Sequence, residues 1–482
     1  MESVCCVGHK HMTMAANVGS INGTAPLQTS LGTVTMNPAA AAAQDPFCAR
    51  EKFLPVTKSA LMDRLTMPGR WPNQSQREAR RFFRYLDYWR QQQYAIRLLG
   101  LIEAYEPFSP DTDLLVTRHY APPERLQLQK QVMAGAEQLL RQANYTRIDP
   151  AQVNLIVTQE SAYGLDLSVD LAAFEEIAIY YRGVSSRKNS RRNPKKFFRK
   201  EEFEVPIFRR LCVIFKLASF DDRVAKVMKD NGWARQDAAS HVKKLRAHLP
   251  AEVKEGNVYM KLFRNIPRTD IEMVFPNTQV RFRLKDKLRL GATAGGGLGF
   301  GIFTSAGKVA LLASNPVGAA GAALGLGGVA FRQAMSFVNQ KQRYMVVMAQ
   351  NLYFLSMADN GSVIVELAAR AAEEDIKEEW LLYSILAKTD ASRADLPAID
   401  HAIEKFLKNE FGVSVDFDVE DALERLIADG IVTEDAAGTF TTLPPKQAAL
   451  YIDGKWDIVL DTLPDPGHSA GDEAASAQEV AT

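Results

Sequence analysis

LGATAGGGLGFGIFTSAGKVALLASNPVGAAGAALGLGGVAF, residues 290–331, is the stretch on which the reading of this chain turns. Lys308 is its only charged residue. As helix, at about 1.5 Å per residue, it would run about 63 Å, twice the roughly 30 Å of a hydrocarbon core. The economical expectation is a hairpin of two transmembrane helices, turning between Thr304 and Pro316. Twelve of the chain's 30 glycines fall here. Each would cost a water-exposed helix about 1 kcal/mol against alanine, whereas lipid forces the backbone to close its own hydrogen bonds. Gly291, Gly295 and Gly299 recur every four residues, as do Gly321 and Gly325. That spacing gives each helix a smooth stripe for packing, within one hairpin or between copies in a homo-oligomer.

The same glycines do not make a nucleotide loop. A Walker loop needs four residues before Gly-Lys and then Ser or Thr. Here five residues separate Gly301 from Gly307, and Val309 follows Lys308. Cations flank both ends of the stretch: Arg281, Arg283, Lys285, Lys287 and Arg289 before it, and Arg332, Lys341 and Arg343 after it. Positive flanks on both sides predict a multi-pass membrane protein with both termini in the cytoplasm or its organellar equivalent.

Composition bounds the rest. The 482 residues carry a net charge of +1, which gives no overall attraction to nucleic acid. Cys5, Cys6, Cys48 and Cys212 show no ligand spacing and no disulfide framework. Residues 1–50 lack a signal-peptide core and read as a disordered tail, as do residues 463–482. Between them the expected architecture is an α+β membrane protein. A helical N-terminal region with an antiparallel sheet fills 51–288, the transmembrane hairpin 289–332, and a helical segment 333–390. A winged-helix-like acidic domain fills 395–462.

Helices are expected over 58–65, from Asn73 or Ser75 to Ile102, and over 122–142 and 151–161. Strands are expected over 174–181, 205–217, 259–266 and 279–287, in one sheet of about four strands. RKNSRRNPKKFFRK, residues 187–200, is expected as a loop with eight cations and no anion. Arg187, Lys188, Arg191, Arg192, Lys195 and Lys196 there, with Arg281, Arg283, Lys285 and Lys287 along one face of the last strand, are candidate lipid-headgroup contacts. Each would contribute about 1 kcal/mol near anionic lipid. Met335–Leu355 is expected to be helical, followed by a helix over 363–388. The run Glu373-Glu-Asp-Ile-Lys-Glu-Glu379 of that second helix is assigned to a solvated face.

Residues 395–462 carry 15 acidic and 5 basic residues. Helix, helix and a two-stranded wing is the order of a winged-helix domain, but a net charge of −10 repels phosphate. A protein partner, or docking on the chain's own basic loop, is expected instead of DNA.

No catalytic, cofactor or metal site is assigned. The seven histidines form no HExxH, and His241 and His248, seven apart, have no third ligand. In IPRTDIEMVFPNTQV, residues 266–280, Asp270 and Glu272 would share one face of an extended segment. They could work as an acid–base or metal pair, or Arg268 could simply pair with a carboxylate.

IPRTDIEMVFPNTQVRF with KDK after it, the hairpin, and then NQKQRYMVVMAQNLYFLSMADNGSV together resemble the transmembrane protein 143 family. YEPFSPDTD at 105–113 and YYRG at 180–183 fit as well. The resemblance spans roughly residues 51–460. It implies membrane segments, in a bacterial inner membrane or a mitochondrial or plastid one, and a domain of unknown function, and contributes no activity. The glycine content of the hairpin and Asn315-Pro316 within it depart from the family pattern. The expected function is a membrane-anchored scaffold or adaptor without cofactor, with membrane lipids and a protein as partners. The alternatives are a membrane-associated enzyme acting on lipid and a glycine-zipper pore.

Overall fold

The structure is a computed structural model that describes residues 50–72, 75–115, 119–149, 166–193, 199–247, 249–281 and 352–459, with scattered positions between 335 and 350. The described residues form two compact units, one drawn from residues 1–51 and 101–367 and one from 52–100 and 368–482.

The first unit is built on a long hairpin, β3 (Phe174–Asn193) and β4 (Arg199–Leu217). It also holds β1 (Thr146–Ile148), β5 (Val258–Pro267) and β7 (Ser356–Asp359), giving an antiparallel five-stranded sheet in the order β1-β3-β4-β5-β7. The period of two in β4 decides the faces. Leu211, Val213, Phe215 and Leu217 join one core with Phe174, Ile179, Tyr259 and Phe263. Cys212 and Ile214 between them are buried as well. Burial pushes the Cys212 thiol up to about 12, which leaves it an inert hydrophobe.

The helix α3 (Pro122–Gln142) starts on two prolines, whose missing N–H groups cost nothing in a first turn. It buries Val132, Ala136, Leu139 and Leu140 at helical spacing and ends where Asn144 takes φ 60° and Tyr145 N–H returns to Leu140 C=O. Two amphipathic helices that the sequence reading passed over, α4 (Phe220–Asn231) and α5 (Arg235–Arg246), pack Val224 and Val227 on Ala238 and Val242.

The second unit takes in α1 (Lys58–Leu65), the first part of α2 (Ser75–Tyr105) and most of α6 (Gly361–Leu386). β8 (Ala391–Ser392), α7 (Leu396–Phe411), α8 (Val419–Ala428), β9 (Val432–Glu434), β10 (Thr439–Thr442) and α9 (Pro445–Ile458) complete it. The elements run helix, strand, helix, helix and a two-stranded hairpin, with the small sheet in the order β8-β10-β9 and a last helix after it. Asp435 accepts from the Ala437 and Thr439 amides and Gly438 takes φ 78°, which shapes the wing turn. An aromatic cluster fills the centre. Phe83 stacks on Trp380 at 5.5 Å, and Phe82 meets Tyr383 at 4.4 Å. The polar ends are spent on backbone: Trp380 donates to Phe83 C=O and Tyr383 to Leu443 C=O.

These facts correct the membrane reading. Residues 289–332, and with them the hairpin and Gly291, Gly295, Gly299, Gly321 and Gly325, lie outside the described residues. Among the described residues no helix is long and apolar enough to cross a membrane. α2 and α6 have the length, at 31 and 26 residues, but both carry charges along it. The transmembrane fold class and the multi-pass localisation in a bacterial inner, mitochondrial or plastid membrane are therefore withdrawn, and the observed architecture is α+β.

The sheet differs too. The last expected strand does not join it. β6 (Thr278–Arg281) pairs instead with β2 (Asp166–Val169) in a separate two-stranded sheet. The expected basic loop is mostly strand, because β3 runs to Asn193 and β4 starts at Arg199. The tails and the expected helix over 151–161 fall outside the described residues.

Candidate functional site

The charged run of α6 is the largest surprise in the second unit. All eleven residues from 374 to 384 are buried, so this stretch of helix has no solvated face. The assignment of Glu373–Glu379 to a wet surface is corrected accordingly. A helix buried all round is normally apolar; here the charges are kept by dedicated partners.

Lys377 and Glu374, one helical turn apart, take hold of one residue. Lys377 Nζ donates to Leu54 C=O at 2.6 Å and to Glu374 at 2.9 Å, while Glu374 Oε2 accepts from Leu54 N–H at 2.9 Å. Both backbone groups of Leu54 are thereby satisfied by one ion pair, which fixes the segment leading into α1. A buried charge survives only with such compensation.

Asp375, Glu378 and Glu379 point instead at two arginines. Arg425 of α8 reaches Glu378 at 2.6 Å, Glu379 at 2.9 Å and Asp375 at 3.3 Å, and also pairs with Asp421 on its own helix. Arg90 of α2 reaches Glu379 at 2.8 Å and Asp429 at 2.6 Å. Tyr94 donates to Asp375 at 2.6 Å, and Trp89 to Asp429 at 3.1 Å. Five carboxylates thus share two guanidinium groups, with Lys455 at 3.9 Å from Asp429.

Negative charge is in excess, and the carboxylates respond. Burial pushes Glu379 up to about 7 against the opposing pull of Arg90 and Arg425. Burial likewise raises Asp375 and Tyr94. Among the described residues, Glu379 Oε2 receives no hydrogen bond. Asp375, Glu378 and Asp421 lie close enough together to hold a metal ion, but the Arg425 guanidinium already supplies a cation to all three.

The network decides what α8 shows to the outside. Val419, Ala422, Leu423 and Leu426 are buried, and Arg425, the only cation on the helix, is turned inward. The exposed side carries Glu420, Asp421 and Glu424. On the wing, Glu434 is held in a two-point pair by Arg393, at 2.7 and 2.6 Å, and Asp435 occupies the turn.

The residues singled out from sequence are placed elsewhere. Arg187 and Lys188 are exposed on β3, with Lys188 opposite Glu204. Arg191 and Arg192 belong to the same strand, their backbones in register with Glu201 and Lys200. Arg281 ends β6 opposite Asp166. Lys195, Lys196, Arg283, Lys285 and Lys287 lie outside the described residues. Residues 268–274 form a 3-10 helix with a kink at Asp270, not an extended segment, so alternation no longer pairs Asp270 with Glu272. Arg268 lies over the Phe208 ring at 5.5 Å. His241 packs edge-on against Trp233.

Arg90 and Arg425 escaped sequence reading, although a signal existed. Ala371, Asp375, Glu378, Leu382 and Leu386 follow helical three-and-four spacing, which puts carboxylates on an apolar stripe.

A family model described as a protein of unknown function (DUF3754) matches residues 174–362. It covers β3, β4, β5 and β7 of the five-stranded sheet and the 3-10 helix, and stops before the buried charges of α6. This match does not indicate the transmembrane protein 143 family, and that resemblance is withdrawn. No solved structure matches the chain.

Proposed function

We propose that the chain is a non-catalytic scaffold or adaptor whose C-terminal unit engages a basic protein surface. The observation that carries this reading is the orientation of α8. In a winged-helix DNA reader the equivalent helix enters the major groove and needs cations toward phosphate. Here its one arginine is consumed by α6, and Glu420, Asp421 and Glu424 face outward. Such a surface repels nucleic acid and steers a positively charged partner toward it, with an affinity that falls as salt rises.

Anisotropy titrations of the full chain test the reading, using a labelled lysine- and arginine-rich peptide and a labelled DNA duplex at low and high ionic strength. The peptide should bind, weaken with salt, and lose most of its affinity for a Glu420→Lys/Glu424→Lys variant. Duplex binding by the native chain, or peptide binding indifferent to the charge reversal, would overturn it.

A further inference from the structure

The sheet-containing unit has a cavity of about 680 Å³ that the scaffold reading leaves unused. Its volume is that of a small-molecule site. Three sequence segments far apart in the chain meet there: Asp111 from YEPFSPDTD, Val274 and Phe275 from the 266–280 stretch, and Leu352 and Asp359 from the segment that closes on β7. We propose that this cavity binds a cationic amphiphile, a small molecule with an apolar body and an ammonium head.

The body is read from the walls. Phe215 and Tyr259 stack at 5.1 Å with their planes 13° apart, and Phe263, Val274 and Phe275 continue the apolar surface. Tyr259 contributes its ring and keeps its hydroxyl occupied elsewhere, since the hydroxyl donates to Glu252 C=O and accepts from Lys254 N–H, both at 2.8 Å. The cavity wall is thereby preorganised, with the phenol oxygen already satisfied.

The head is read from the charges. Among the described residues three acidic residues line the cavity, Asp111, Glu252 and Asp359, against one basic residue, Lys261. Lys261 pairs with Asp359 at 3.0 Å. Asp111 accepts from the Asn360 amide at 2.5 Å, a neutral donor that leaves its charge in place. Asn360 itself is buried and anchored, because its N–H and its Oδ1 both bond to Met260 of β5. A surplus of carboxylate beside aromatic faces attracts a cation and disfavours an anionic head.

Calorimetric titration of the full chain with dodecylamine, dodecanol and dodecanoate, which share one apolar tail, tests the proposal. The amine should bind tightest and dodecanoate weakest, by about tenfold or more. Asp111→Asn should bring the amine down toward the alcohol without touching alcohol binding. Leu352→Trp, which fills the half-buried side of the cavity, should abolish binding of all three. The unfolding transition of each variant reports whether it is folded. If Leu352→Trp is not, the exposed Asp111→Asn substitution still decides. Equal or tighter binding of dodecanoate, an amine preference that survives Asp111→Asn, or no binding of any probe would overturn the proposal.

Discussion

Replacing Glu379 by Gln should flatten the pH dependence of the C-terminal unit's stability. The side chain is fully buried between Arg90 and Arg425, and burial raises its carboxyl from 4.5 to about 7. A carboxyl raised on folding keeps its proton in the folded state where the unfolded chain has already released it. The resulting stability is complete below the unfolded value, near 4.5, and is lost as the pH rises through about 7. The displacement corresponds to about 3 kcal/mol between the two protonation states. Asp375 is raised by burial in the same direction and remains in the variant, so the difference between native and Glu379→Gln isolates the one group. Urea titrations at about pH 8 and about pH 5, followed by tryptophan fluorescence, give the measurement, because Trp71, Trp89 and Trp380 are all buried in this unit. The native chain should gain up to about 3 kcal/mol more than the variant on acidification. Equal gains in the two proteins, or a larger gain in the variant, would refute the assignment of an ionisation burden to Glu379.

Three further substitutions probe the same unit by denaturant unfolding. Arg425→Met removes the cation shared by Asp375, Glu378 and Glu379 and should cost about 3–5 kcal/mol, the usual result of stranding buried charge; a loss under about 1 kcal/mol would place this pair at the solvated end of the scale. Tyr94→Phe deletes the hydroxyl that donates to Asp375 at 2.6 Å and should cost about 1.5–3 kcal/mol, with unchanged packing reported by near-ultraviolet circular dichroism. Gly430→Ala must hold φ at 75° and bring a Cβ to 2.6 Å from the Tyr451 hydroxyl, so the unfolding midpoint should fall by the equivalent of about 1–2 kcal/mol.

Local elements were legible where local physics sets them. The periodicity and the prolines place helices at 58–65 and 122–142, as found in α1 and α3, and β-branched and aromatic runs mark the cores of β3, β4 and β5. The short edge strands β1 and β7, of three and four residues, carry too little pattern to announce themselves. The 266–280 stretch looked extended because Asp270 and Glu272 alternate with Ile271 and Met273. Packing turned residues 268–274 into a 3-10 helix that buries Ile271 and Met273. The cavity was illegible for another reason: its walls come from segments more than two hundred residues apart, and no local window contains them.

The sequence by itself determined the helix and strand periods, the −10 charge of residues 395–462 and the absence of a recognisable catalytic motif. It could not decide which charges face water. A helical repeat states that Glu374, Asp375, Lys377, Glu378 and Glu379 share a helix, but whether that helix is wet depends on what covers it. Only the tertiary structure brings Leu54, Arg90 and Arg425 to those side chains. Desolvating a charge is favourable only when its counter-charge and donors are already in position, and that condition is met by residues from 46 to 323 positions away.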